Sequence, residues 1–209
     1  MDSVIRAKRI FDLFISLLIC VFFSTFIVFI VLAMFVENMI RGKPKRPLLY
    51  KEKRVSAGKV FMMYKFNVFD DTVVESMHRL GKHIDTKALE QNGQTTVVGK
   101  FLIKFYMDEL PQVWNVLLGD MSIVGTRPVE FGYYQKFDEE RKREKGRVKA
   151  GITGHFQSHK GRYTYGEQSR LLDKEYADYF HNNPWYKVLW FDVIIILRTF
   201  VVVLQAKGI

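Results

Sequence analysis

The sequence predicts a mainly α protein with minor β, organised as an N-terminal membrane-embedded helix, residues 1–40, followed by one small domain, residues 41–209, that carries amphipathic interfacial helices. Three observations lead there. Leu13 to Val36 is a run of 24 residues without a charge, residues 41–65 are strongly basic, and most of the remaining apolar residues recur at helical spacing. The 209 residues are 48% hydrophobic, with 32 Lys+Arg against 22 Asp+Glu. A mean hydropathy of −0.04 beside a net charge of +10 implies that apolar and basic residues are segregated in blocks. Disordered, collagen-like and disulfide-stapled classes are excluded, since Cys20 is the single cysteine.

The anchor comes first. As a straight helix, Leu13 to Val36 would run about 36 Å, enough for a hydrocarbon core of about 30 Å. It is too long for the apolar region of a signal peptide, and Met34-Phe35-Val36-Glu37 offers no small-x-small cleavage site. Phe, Ile, Leu and Val cover every face, which argues against a buried soluble helix. Basic residues flank both sides: Arg6, Lys8 and Arg9 before it, and nine Lys and Arg against Glu52 alone in residues 41–65. Cytoplasmic flanks are rich in Lys and Arg, so both look cytoplasmic. A single span with an exported N-terminus and a helix that enters and leaves through one leaflet both remain open. The basic run reads as a surface for anionic lipid headgroups rather than for nucleic acid.

Beyond the uncharged run, residues 37–209, 173 in all, suffice for one compact core. Lys59 to Phe66 reads as a strand or an interfacial segment, and Asp85 to Gln94 as a loop or frayed helix. Val98 to Phe105 and Leu110 to Leu118 show helical spacing, the second opened by Pro111 and closed by Gly119. Phe131 to Gly146 is predicted as one charged surface helix. Val188 to Leu204 is apolar but interrupted by Asp192 and Arg198, as in a helix lying on the membrane or closing the core.

Familiar catalytic signatures are missing. Gly93 to Lys100 misses the phosphate-loop spacing by one residue, and His155 with His159 lacks an evident third metal ligand. The informative stretch is Met107-Asp108-Glu109-Leu110-Pro111-Gln112. Paired carboxylates ahead of a Pro-initiated helix can be an ordinary N-cap and first-turn acid. Ten residues later, however, Gly119 to Pro128 sets Asp120 and then Arg127 between glycines. A carboxylate nucleophile, carboxylates able to hold Mg²⁺ and an arginine fork for phosphate oxygens make a plausible phosphoryl-transfer site.

The run Asp-Glu-Leu-Pro-Gln, then Gly-Asp-Met-Ser-x-x-Gly-x-Arg-Pro, then Gly151-Ile152-Thr153-Gly154 with Gln157, resembles the bacterial sugar transferases, the monotopic phosphoglycosyl transferases that begin surface-glycan assembly. Looser likeness takes in Lys8 to Asp12, Tyr64-Lys65-Phe66, and Asp173, Tyr176 and Asp192. The resemblance implies an enzyme of the bacterial inner membrane, its catalytic domain on the cytoplasmic face. Such an enzyme moves a phospho-sugar from a UDP-sugar to polyprenyl (undecaprenyl) phosphate and releases UMP. It implies Asp108 as the nucleophile of a covalent phosphosugar-aspartate, with Glu109 beside it. Arg127, Lys65, Gln157 and Arg162 are implied for substrate, and Asp108, Glu109 and Asp120 for Mg²⁺. The implied partners are the donor, the lipid acceptor and anionic membrane lipids, without nucleic acid, and a homodimer stays open. The family's re-entrant helix favours the one-leaflet arrangement.

Several positions depart from that family. Ser24-Thr25 stands for its Ser-Pro helix break, Tyr106-Met107 for Ser-Leu, Lys65-Phe66-Asn67 for Lys-Phe-Arg, and Ala150 for the proline before Gly151. Gly161-Arg162 arrives one residue late after Gln157, so Lys160 competes with Arg162 for the matching place. Two other classes remain: a membrane-anchored Mg-dependent nucleotide-diphosphate hydrolase and a non-catalytic membrane adaptor.

Overall fold

The computed structural model describes residues 1–69, 94–159, 163 and 166–204. The predicted loop or frayed helix over Asp85 to Gln94, all but its last residue, and the candidates Lys160 and Arg162 lie outside them.

Asp2–Ile40 is one uninterrupted helix, α1. At 1.5 Å per residue it is about 58 Å long. Its amphipathicity is inverted: Lys8, Asp12, Ser16 and Asn38 are buried, while Leu17, Val21, Phe22, Phe29, Leu32 and Ile40 are exposed. Polar residues at i, i+4 and i+8 thus face the protein and apolar ones face outward. That pattern suits a lipid surround, where apolar side chains lose nothing by exposure and polar groups must find partners internally.

Both ends of α1 are fastened to the rest of the chain. Near its start, Lys8 Nζ lies 3.0 Å from Asp12 Oδ1 and 2.9 Å from Asp192 Oδ2. Arg9 donates to the carbonyls of Val116 at 2.5 Å and Leu117 at 2.7 Å. Near its end, Glu37 accepts from the amides of Val97 at 2.7 Å and Val98 at 3.1 Å. A cation therefore meets the carbonyl end of one short helix and an anion the amide end of another, each matching the local helix dipole.

After α1, β1 (Leu49–Ser56) and β2 (Lys59–Phe66) form an antiparallel hairpin, and β4 (Val129–Glu130) pairs with the outer edge of β1. Its turn is Ala57-Gly58, both at positive φ, the conformation that two-residue hairpin turns favour. A second sheet is parallel, β3 (Ser122–Val124) beside β5 (Gly151–Thr153). The alternation in Tyr50, Glu52 and Arg54 against Lys51 and Lys53 is a strand signal that a reading for charge alone passes over.

Among the described residues the further helices are α2 (Val97–Lys104), α3 (Gln112–Leu118), α4 (Phe131–Gln135), α5 (Glu139–Gly146), α6 (Glu167–Asn182) and α7 (Trp185–Leu204). The predicted single helix over Phe131 to Gly146 is two, because Asp138 leaves helical geometry and caps α5 by accepting from the Arg141 amide at 2.7 Å. Gly119 ends α3 at φ +90°, as a left-handed C-cap does.

One core cluster joins β2, α3, β3 and α6 through Met63, Val116, Met121, Val124 and Tyr176, with Ile15 and Ile19 of α1 against it. The other joins Phe66, Leu102 and Ile103 to Ile30 and Met34 of α1. The anchor helix thus contributes to both cores. Helices packed against α1 also carry exposed apolar residues: Phe101, Trp114, Leu118, Trp190, Leu197 and Phe200.

Candidate active site

The carboxylate pair sits on a single 3-10 turn, Met107–Glu109. Tyr106 enters it at φ +57°, a left-handed conformation uncommon for a side chain of that size. Strained backbone of this kind concentrates at functional sites. The alternative of Asp108 as an ordinary cap of α3 does not hold: Pro111 takes the cap position, and among the described residues no side chain caps that helix.

Beside the turn runs β2, placed by Asn115. This residue is fully buried on α3, accepts from the Tyr64 amide at 3.1 Å and donates to the Met62 carbonyl at 2.7 Å. Among the described residues no strand pairs with that edge of β2, and Asn115 takes up its backbone groups there and so fixes the next residue, Lys65, against the dyad. Lys65 Nζ lies 2.7 Å from Glu109 Oε1 and 3.9 Å from Asp108 Oδ2. Burial alone would pull the Lys65 ammonium down, but Glu109 and then Asp108 outweigh it and hold it above the ordinary lysine value. Burial would likewise raise Glu109, yet Lys65, then Arg127 and Arg54, hold its carboxyl below the usual range. At neutral pH the dyad's glutamate is ionised and its lysine charged.

These residues line a cleft of about 1350 Å³ that also takes in Arg54, Arg127, Tyr133, Arg141 and Asp173. Its walls carry eleven Lys and Arg against six Asp and Glu, an excess of positive charge that attracts anions. Asp173 is buried, which raises its carboxyl above the usual range against the opposing charge of Lys145 at 2.5 Å.

The structure brings together Asp108, Glu109, Lys65 and Arg127, but not Asp120 or Gln157. The Asp120 carboxylate lies past the far end of α3, within 3.3 Å of Asn115 Nδ2 and away from the cleft lining. Among the described residues no three metal-binding side chains gather, so the expected Asp108, Glu109 and Asp120 set is not assembled. Gln157 belongs to a 3-10 turn beside Gly154, also off the cleft lining. Nor do His155 and His159 gather a metal set: His159 Nδ1 donates to the His155 carbonyl at 2.8 Å, while its Nε2 meets Arg198 at 3.2 Å.

Two glycine motifs have a packing cause. A Cβ on Gly125 would collide with the Lys149 carbonyl, one on Gly151 with the Gly125 amide, and one on Gly154 with the Gly125 carbonyl. The Gly-x-Arg-Pro and Gly-Ile-Thr-Gly segments thus lie backbone against backbone, and this contact carries Arg127 to the cleft. Asp12 braces the same strand, accepting from Ser122 Oγ at 3.0 Å and the Ile123 amide at 3.1 Å. Asp192 is held by Lys8 and by the Tyr176 hydroxyl at 2.8 Å. Reading Lys8 and Arg9 as membrane-flank charges hid these structural roles.

An apolar-faced anchor helix joined to a cationic cleft with paired carboxylates is the arrangement of a membrane-associated protein. The chain belongs to the bacterial sugar transferase family, whose model matches residues 3–206. It is 36% identical over 211 residues to the galactosyl transferase CpsE of Streptococcus agalactiae, covering 97% of this chain and 43% of that protein. It is 30% identical over 211 residues to the undecaprenyl-phosphate galactose phosphotransferase of Salmonella typhimurium, at 96% and 41% coverage. EpsL of Bacillus subtilis, an uncharacterized sugar transferase, is 32% identical over 174 residues, at 82% and 77%. The chain spans less than half the length of the first two relatives.

Proposed function

We propose that this protein transfers a phospho-sugar from a UDP-sugar to polyprenyl phosphate, releasing UMP, by way of a covalent intermediate on Asp108. The observation that carries the reading is the Asp108-Glu109 pair held in a cationic cleft by Lys65, on a domain fastened to a lipid-facing helix. The names of the relatives supply the reaction class: one acts on undecaprenyl phosphate with galactose phosphate, and another, from Klebsiella pneumoniae, is a UDP-glucose:undecaprenyl-phosphate glucose-1-phosphate transferase.

In this reading an Asp108 carboxylate oxygen attacks the sugar-bearing phosphorus, and the bond from that phosphorus to the bridging oxygen breaks, so that UMP leaves. An oxygen of the lipid phosphate then attacks the same phosphorus and frees the Asp108 carboxylate, which yields a polyprenyl diphosphate sugar. Arg127 grips phosphate oxygens through its guanidinium fork. Lys65 keeps Glu109 ionised and places positive charge beside Asp108, where charge builds on the phosphoryl group.

Two adjacent carboxylates are a donor set that fits Mg²⁺, which takes one or two protein carboxylates and completes its shell with water and substrate phosphates. Asp108 and Glu109 would hold it, Asp120 would not, and the ion would neutralise charge on the diphosphate.

The one-leaflet arrangement of α1 belongs to this proposal. Lys8, Arg9 and Asp12 near its start and Glu37 and Asn38 near its end all bond to one domain. A helix crossing the bilayer would leave one set of these polar contacts on the far side from the domain. Its partners are then a UDP-sugar, a polyprenyl phosphate and anionic lipids on the cytoplasmic face of the bacterial inner membrane.

The reading is tested by incubating the protein in nanodiscs with Mg²⁺ and UDP-sugars but no lipid acceptor, followed by rapid quench and intact-mass measurement. A phosphosugar adduct that disappears in Asp108→Asn is the expected result. An adduct on another residue overturns the assignment.

A further inference from the structure

Arg54 was not among the site residues read from the sequence, yet it lines the cleft together with Asp108 and Glu109. Its neighbours are unusual for a structural arginine. The residue opposite it across the β1–β4 pairing is Glu130, a natural cross-strand partner. Glu130, however, is committed elsewhere: its two carboxylate oxygens accept from the amides of Gly132 at 2.9 Å and Tyr133 at 2.8 Å and so cap α4. Arg54 is held instead by Glu52, two residues away on the same face of the same strand, through Nε at 3.0 Å and Nη2 at 2.6 Å to a single oxygen, Oε2. Its Nη1 reaches the Pro128 carbonyl at 3.4 Å, beside Arg127.

A pair between i and i+2 of one strand ties no two elements together, so little of the fold depends on it. A guanidinium on one carboxylate oxygen also falls short of the two-oxygen fork that it forms with a phosphate or a well-placed carboxylate. The salt bridge is partly sheltered, each side chain 17% exposed. What it does achieve is to occupy, at rest, a guanidinium that lines the cleft beside the dyad.

We propose that Arg54 is a second guanidinium for the diphosphate of the substrate, with Glu52 its placeholder: the incoming diphosphate takes Arg54 over from Glu52, beside Arg127. This rests on the reading above of a phosphate-bearing donor. The exchange accounts for an acid, Glu52, in the lining of a cleft whose charge is mainly positive. Glu52 opposes binding by its own charge and by holding Arg54, and this gives the proposal a distinctive sign. Removing the arginine weakens anion binding, whereas removing the carboxylate strengthens it.

The experiment is calorimetric titration of inorganic pyrophosphate into the full chain in zwitterionic nanodiscs, without added divalent cation, so that only the protein's own cations are read. Relative to wild type, Arg54→Gln binds at least about tenfold more weakly, the loss expected for a charged hydrogen-bonding group. Glu52→Gln binds more tightly, and the double variant returns to the level of Arg54→Gln. A structural pair would make both single variants weaker and lower both melting temperatures. The proposal is overturned if Glu52→Gln binds more weakly than wild type, if Arg54→Gln binds equally well, or if wild type does not take up pyrophosphate. A wild type that holds pyrophosphate through Arg54 but releases no UMP from any UDP-sugar supports the clamp and overturns the transferase reading instead.

Discussion

Lys65 and Glu109, 44 residues apart, meet at 2.7 Å through a partly buried ion pair that stands beside the proposed nucleophile. The pair lies at the junction of β2 and the turn that carries Asp108, and Asn115 sets the distance between those two elements.

Its pH dependence follows from the directions of the two shifts. Glu109 is held low, so its share of stability is present above the unfolded carboxyl value and is lost as pH falls through the depressed folded value. Lys65 is held high, so its share is present below the unfolded lysine value and is lost as pH rises through the raised folded value. Between those limits the pair is intact. In Lys65→Met, burial acts on Glu109 without its nearest cation, and the acid limb of the pH–rate profile moves to higher pH. An unmoved limb contradicts this coupling.

The buried ion cluster that fastens α1 has a mutational signature. Lys8→Met leaves Asp12 and Asp192 buried without their cation, and breaking a buried pair in this way costs about 3–5 kcal/mol. Combining it with Asp192→Asn restores part of the loss, because one uncompensated carboxylate is removed. Thermal unfolding in detergent reads both variants, and additive losses would count against a shared cluster.

Gly151→Ala puts a methyl group against the Gly125 backbone and is expected to destabilise by about 2–3 kcal/mol, with loss of activity from displacement of Arg127. Gly146→Ala, which meets nothing within 4 Å, is the control and leaves both unchanged. The comparison is read from melting temperature and turnover together.

The anchor's arrangement is tested by labelling. In a Cys20→Ser background, Asp2→Cys at the start of α1 and Lys45→Cys five residues past its end, both at exposed positions, react with an impermeant maleimide from the same side of sealed vesicles. Reaction from opposite sides would show a single span.

Much of this was legible before the structure. The uncharged run, the short helices over residues 98–105 and 110–118 and the dyad motif depend on local pattern, and local pattern is what a sequence displays. The motif glycines were visible as well, but their cause, a backbone contact between Gly125 and Gly151, joins segments far apart in the chain. Asn115 and Arg54 were missed for the same reason: a buried asparagine inside an apolar helix and an arginine in a basic run carry no local mark of what they face. Asp120 drew notice because an acid within a motif looks like a ligand, whereas the turn after α3 directs its carboxylate to Asn115.

The most direct test of the central claim is UMP release by the nanodisc-held protein with Mg²⁺, a panel of UDP-sugars and polyprenyl phosphate either present or absent. Sustained release that needs both the lipid phosphate and an intact Asp108 is the predicted result, and the active sugar identifies the donor. Sustained release without lipid, or undiminished release by Asp108→Asn, would contradict it.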